Sequence, residues 1–201
     1  MTEATPMEAD IPQFPSLNAQ EVHEGRTDSR SVLIPNHRYT PLKNQWMEIY
    51  TPLVEQLKLQ VRMNIKKRCV DIRTCELTVD PLALQKGEDF VRAFALGFEL
   101  SDAIALLRME DLFIETLDIR DVKKLEGEHL ARAIGRIAGK SGKTKFAIEN
   151  ATRTRIVLAD AKIHMLGTYD NINMARHSLC SLILGSPASS TIGKLVQRTK
   201  Y

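Results

Sequence analysis

Apolar residues stand alone along residues 1 to about 40, where Pro6, Pro12, Pro15, Pro35 and Pro41 recur and no helical or strand period is sustained. This stretch reads as a disordered or extended tail, and folding is expected to begin near Trp46. Leu53, Leu57 and Val61 recur at fourfold spacing and predict a helix over 46–61, with Pro52 limiting its early part. Over 69–74, Val70 and Ile72 alternate with Asp71 and Arg73, the period of a half-buried strand. Past the breaker Asp80-Pro81 come a helix over 89–98 and a second one N-capped by Ser101 and carrying Ile104 and Leu107. A strand over 112–121 follows, with Phe113, Glu115, Leu117 and Ile119 on one face and Thr116, Asp118 and Arg120 on the other.

The order is clearer beyond that strand. Leu130, Ile134 and Ile137 form one stripe of a helix over 128–137, the loop Gly139-Lys140-Ser141-Gly142 follows, and a second helix covers 143–151. Two strands over 155–159 and 162–166 are separated by Asp160-Ala161, and a helix over 172–184 is stopped by Gly185-Ser186-Pro187. The sum is β-α-α-β-β-α. Residues 187–201 hold Lys194, Arg198 and Lys200 without an acid and read as a basic tail that orders only against a partner.

Charge adds a direction. The 201-residue chain carries a formal +3, yet its first 30 residues hold six acids against Arg26 and Arg30, leaving about +7 on the remainder. The surplus concentrates in two places. Residues 58–73 carry six basic side chains against Asp71, and 132–155 carry seven against Glu149. Such local excess suits a polyanion. No apolar run approaches the length of a spanning helix and the acidic N-terminus is unlike a signal peptide, so no membrane role is expected. Cys69, Cys75 and Cys180 read as reduced thiols; the first two lie roughly 20 Å apart on one face if the strand continues. No CxxC spacing is present, and neither metal nor cofactor is expected.

The loop echoes a nucleotide-binding motif twice, in Gly139-Lys140-Ser141 and Gly142-Lys143-Thr144. That motif requires a further Gly five positions earlier, where Ile134 and Ile137 stand, and a preceding strand, where a helical stripe runs. Helix, GxxG and helix serve a different purpose. The glycines leave no Cβ between the backbone and an approaching phosphodiester, the amides opening the second helix add partial positive charge, and Lys140 and Lys143 add formal charge. This is the phosphate clamp of KH domains. Arg132 and Arg136, one turn apart, extend a basic edge towards Lys140. Arg153 and Arg155 are expected on one strand face as the opposite wall, with Ile156 and Val157 as an apolar floor for bases. On this reading Gly139→Asp with Gly142→Asp weakens RNA binding without unfolding.

The resemblance extends beyond the loop. Leu42-Lys43-Asn44 and the strings at 57–64, 83–87, 132–140 and 144–160 resemble the Partner-of-Nob (Dim-two) family, a likeness covering about residues 30–201. It implies an α+β protein of two tandem KH-like modules. The tail would span 1–42, a degenerate module without GxxG 43–122, a type I KH domain 113–186 and the basic tail 187–201. It also implies a non-catalytic, RNA-binding assembly factor of the small ribosomal subunit that binds pre-18S rRNA near the 3′ end of 18S rRNA. Its implied partners are small-subunit ribosomal proteins and assembly factors, the PIN-domain endonuclease that matures that end, and an rRNA dimethyltransferase. The implied location is nucleolus and nucleus, with cytoplasmic passage on pre-40S particles. In the first module only Gly87 and Gly97 occur over 46–122, so it cannot clamp phosphate in the same way; Lys66, Lys67 and Arg68 are its expected charged edge. KH domains usually place an aliphatic residue three positions after the second loop Gly, where this chain has Lys145, counted here among the RNA-facing residues. The competing readings are a KH regulator of messenger RNA and a nucleotide-dependent enzyme.

Overall fold

The computed structural model describes residues 28–198, so the expected tail lies outside the described residues up to Thr27. Two halves follow each other with the same order of elements. The first comprises β1 (Ser29–Leu33), α1 (Asn36–Asn44), α2 (Trp46–Glu55), β2 (Gln60–Asn64), β3 (Cys69–Arg73), α3 (Ala83–Leu96) and α4 (Leu100–Arg108). The second comprises β4 (Phe113–Asp118), the single turn α5 (Ile119–Val122), α6 (Gly127–Ala138), a 3-10 turn at Lys140–Gly142, α7 (Lys143–Thr152), β5 (Arg155–Ala159), β6 (Lys162–Gly167), α8 (Tyr169–Leu184) and α9 (Ala188–Arg198). Each half has a three-stranded antiparallel sheet, ordered β1-β3-β2 and β4-β6-β5.

The first half corrects several expectations. Residues 29–42 are folded: β1 pairs with β3 in the register Val32 to Val70, Pro35 precedes α1, and Leu42 is buried. Prolines that suggest disorder here sit at a helix start and inside a helix. The helix expected to reach Val61 ends at Glu55, because Lys58 turns left-handed (φ 52°) and sends Val61 into β2 opposite Ile72. Helix α3 begins at Ala83, six residues before the expected start. Gly87 belongs in it because a Cβ there would lie 2.8 Å from Leu59 Cδ1, so its absence lets α3 approach the α2–β2 connection. Glu99, not Ser101, is the N-cap of α4. Strand β3 ends at Arg73, leaving Cys75 outside it with its Sγ donating to the Lys58 carbonyl at 2.9 Å.

In the second half, β4 stops at Asp118 because its carboxylate accepts from Arg120 N at 2.9 Å and caps α5. The C-terminal segment does not wait for a partner: α9 packs on α7 and α8, with Thr191 and Leu195 buried one turn apart. Residues 199–201 lie outside the described residues.

Two cores result. One joins β1–β3 with α1–α4; the other joins α6–α8 with Ile156, Ile163 and Met165 on one face of the second sheet. The opposite face of that sheet presents Ile114, Val157 and Leu166 to the first half's core, where a Cβ on Gly97 would lie 3.2 Å from Val157 Cγ1. His164 and Thr116 pair across β6 and β4 on this face, Nδ1 to Oγ1 at 2.8 Å. The second sheet is therefore covered on both sides, which explains why β6 is buried from Ile163 to Gly167.

Candidate nucleic-acid interface

Helix α6 turns its Ala133 and Ile137 into the core and ends at Gly139, whose N–H donates to the Gly135 carbonyl at 2.9 Å. The loop then needs left-handed backbone at three of four positions: Gly139 (φ 72°), Ser141 (φ 54°) and Gly142 (φ 76°). A Cβ on Gly139 would sit 2.2 Å from Thr144 Oγ1 and 2.9 Å from Thr144 N, so only glycine lets α6 and α7 meet this closely. The same contact corrects an expectation: an aspartate at 139 strains the loop itself, so that variant does not isolate phosphate repulsion. Lys140, Ser141 and Lys143 project into solvent and leave those effects separable.

Electrostatically the loop is one-sided. No acid occurs from His129 to Ile148 and none stands in the first turn of α7, so the partial positive charge of that helix start is unopposed, with the Gly142 and Lys143 N–H groups turned onto the Gly139 and Lys140 carbonyls of the loop. The arrangement can therefore hold an anion that has no bulk between it and the backbone, such as the phosphodiester of a single strand.

The expected flanks divide. Arg132 is exposed and pairs with Glu128 at 3.0 Å, one turn back on α6. Arg136 reaches sideways, donating to the Ile183 carbonyl at 3.4 Å near the end of α8, so the basic line from Arg132 to Lys140 is interrupted. Arg153 is not on a strand: it turns left-handed (φ 52°) after α7 and is exposed, whereas Arg155 opens β5 and pairs with Asp102 of α4 at 3.0 Å. The two do not share a strand face. Ile156 is 1% exposed inside the second core and Val157 faces the first half, so neither forms a floor for bases. Lys66, Lys67 and Arg68 are exposed in the β2–β3 turn of the other half, where Arg68 donates to Asn36.

Between the loop and β5 lies an ion pair in place of an apolar groove. Lys145 Nζ is 3.7 Å from Glu149 Oε1, and that buried carboxylate accepts the Ile156 N–H at 2.7 Å. Glu149 thus ties α7 to the edge strand while Lys145 compensates its charge. Sequence reading passed over Phe146, 54% exposed beside Gly142 with Lys145 Nζ 5.2 Å from its ring centre. Its signal was available: Thr144, Ile148 and Thr152 form the buried stripe of α7, and Phe146 lies two positions off it.

Two sheets of order β1-β3-β2 and β4-β6-β5, each built from β-α-α-β-β-α and only the second with a glycine-turned loop between its helices, define a tandem KH-domain protein. Family models agree, with the eukaryotic type KH-domain (KH-domain type I) matching residues 116–200 and the Krr1 KH1 domain matching residues 29–109. The chain belongs to the PNO1 family. It is 59% identical over 178 residues to the RNA-binding protein pno1 of Ixodes scapularis, covering 89% of this chain and 76% of that one. To the pre-rRNA-processing protein PNO1 of Saccharomyces cerevisiae it is 60% identical over 185 residues, covering 92% and 68%. Among solved structures, a chain of the a/eIF2alpha–aDim2p–rRNA complex from Pyrococcus horikoshii matches with TM-score 0.77 and 27% identity, over 90% of this chain and 98% of that one.

Proposed function

We propose that the chain binds single-stranded pre-rRNA near the 3′ end of 18S rRNA as a non-catalytic assembly factor of the small ribosomal subunit. The observation that carries this reading is the exposed loop Gly139 to Gly142, with three left-handed residues and two free lysines at the start of α7. Lys140, Ser141 and Lys143 clamp phosphates there. Phe146 offers an aromatic face beside them, and Lys145 lines the groove towards β5. Arg132 and Arg153, both exposed, extend the path. Arg136, Arg155 and Ile156 support it from below by holding α8, α4 and the core. The names of the relatives support the RNA as ribosomal, since the yeast protein is called pre-rRNA-processing and the Pyrococcus complex contains rRNA. The proposed partners are the PIN-domain endonuclease that matures that end, neighbouring ribosomal proteins and assembly factors, and an rRNA dimethyltransferase. The proposed setting is nucleolar and nuclear, with passage to the cytoplasm on the particle.

The test is crosslinking in cells with sequencing of the bound RNA, comparing the wild type with Lys140→Asp plus Ser141→Asp. Reads concentrated at the 3′ end of 18S rRNA and lost in the variant are expected. Reads spread over messenger RNAs would transfer the protein to a different class of regulator.

A further inference from the structure

The two sheets have outer faces of opposite character. On the second sheet that face centres on Ile114, Val157 and Leu166, carries the paired His164 and Thr116, and is buried beneath α3 and α4. On the first, the face that alternates with the core positions Val70 and Ile72 is polar around Asp71 and Arg73, with Cys69 and the exposed Leu33 paired at one end, and among the described residues it is open: Ser29, Ser31, Gln60, Arg62, Asn64 and Arg73 line a shallow groove across all three strands. Asp71 lies at its centre and accepts from Ser31 Oγ at 2.7 Å, Arg62 Nη2 at 3.1 Å and Asn64 Nδ2 at 3.5 Å. Its carboxylate is held at a pKa of about 2, chiefly by Ser31 and Arg62, so the negative charge is spent within the face and serves to orient its donors. Arg73 stands opposite Ser29 and Gln60, and Lys67 closes the groove at its other end.

We infer that this outer sheet face is a second RNA-contacting surface, taking the sugar-phosphate backbone of the strand that the second module's loop holds. Charge favours it, with Arg62, Lys67 and Arg73 gathered around one internally paired acid. Composition favours it over a protein partner, because protein interface cores are apolar and depleted in charge, whereas nucleic-acid interfaces are polar, basic and wet. Hydroxyls and amides between the cations suit phosphate oxygens and 2′-hydroxyls, and the face has no aromatic for stacking, so it reads backbone and not sequence. The inference rests on the RNA-binding reading of the loop and extends it to the module that lacks one.

The experiment uses the full chain carrying Arg62→Gln, Lys67→Gln and Arg73→Gln, all at exposed positions, with a tetranucleotide RNA and a longer single strand. The longer RNA, of about 20 nucleotides, should bind at least about tenfold more weakly at moderate salt, with a salt slope shallower by about 2.1, at about 0.7 per lost phosphate contact. Tetranucleotide affinity should be unchanged, because the loop alone holds it. Wild-type affinity and slope on the longer RNA would overturn the inference, and so would equal losses on both RNAs, since the face would then add no separate contact. Loss of polyglutamate binding with RNA slope intact would assign the face to an acidic protein and overturn it too. Failure of the loop reading is a different result: Lys140→Asp plus Ser141→Asp would then leave the tetranucleotide bound as in the wild type.

Discussion

The two halves share an element order and differ at the joint between their first two helices. In the first, α1 and α2 are linked by Gln45 alone, at φ −102° and ψ 16°, an ordinary conformation that any residue adopts. In the second, α6 and α7 are separated by a turn that only glycine can enter and leave. The helix that follows each module differs as well. Helix α4 covers the next module's sheet, whereas α9 folds back onto α7 and α8 of its own module. On the proposed reading one topology serves once as a platform and once as a clamp, and the residues that decide are few.

The largest effect expected from breaking this division lies where the halves meet. Leu166, 5% exposed, points from the second sheet into the first half's core. Leu166→Ala should cost about 2–5 kcal/mol and lower a single unfolding transition followed by circular dichroism. The matching experiment on the first sheet's open face, Arg73→Ala, should change stability by less than about 0.5 kcal/mol. A large loss from Arg73→Ala would mean that the face is structurally covered.

Binding sharpens the contrast at the joints. Lys140→Asp with Ser141→Asp removes a cation and places two carboxylates at the phosphate site, so single-stranded RNA affinity should fall by about 3 kcal/mol or more, beyond about a hundredfold in Kd. Melting temperature should hold, because both side chains are exposed. Gln45→Asp, at the corresponding joint of the first module, should leave Kd unchanged; a comparable loss there would end the distinction between platform and clamp. Glycines separate geometry from charge: Gly139→Ala should destabilise by about 1–3 kcal/mol through its left-handed φ and the clash with Thr144. Gly135→Ala, with open space around it inside α6, should stabilise by about 0.5–1 kcal/mol in urea denaturation.

The second module was legible in the sequence because its signals are local. The stripe Leu130, Ile134, Ile137, the glycine pair and the short hairpin at Asp160-Ala161 each declare themselves within a few residues, and the observed elements begin and end close to the expected positions. The first module was partly illegible because pairing, not propensity, makes its strands. In β1 only Val32 packs inward, and its partner Val70 lies far along the chain, so no window around β1 contains the reason for it. Val61 kept a helical spacing that a single left-handed residue, Lys58, cancels. The error at Ile156 has another source. The run Ile156-Val157-Leu158-Ala159 is apolar on both faces, which marks a strand covered twice, and the cover on the far side comes from another module. Site residues on the loop were readable for the same reason as the loop, whereas the Arg155 to Asp102 pair depends on docking between halves.

Acid separates the two outer faces with the smallest expected effect. Burial between the halves pushes the His164 pKa down, aided by the charges of Lys162 and of Arg92 from α3, while Thr116 shares a hydrogen bond with its Nδ1. The folded state therefore binds this proton less readily than the unfolded chain, so stability is fully present above the unfolded value of about 6.5 and declines as pH falls below it. Asp71 on the first sheet is depressed to about 2, so its contribution is present above the ordinary carboxylate range and is lost only as pH falls from about 4 towards 2. Denaturant titrations from pH 8 to pH 4 should then show a shallow loss that His164→Asn removes and Asp71→Asn leaves in place. If His164→Asn keeps the slope, the buried histidine does not couple the docked face to acid, and the two faces differ in packing alone.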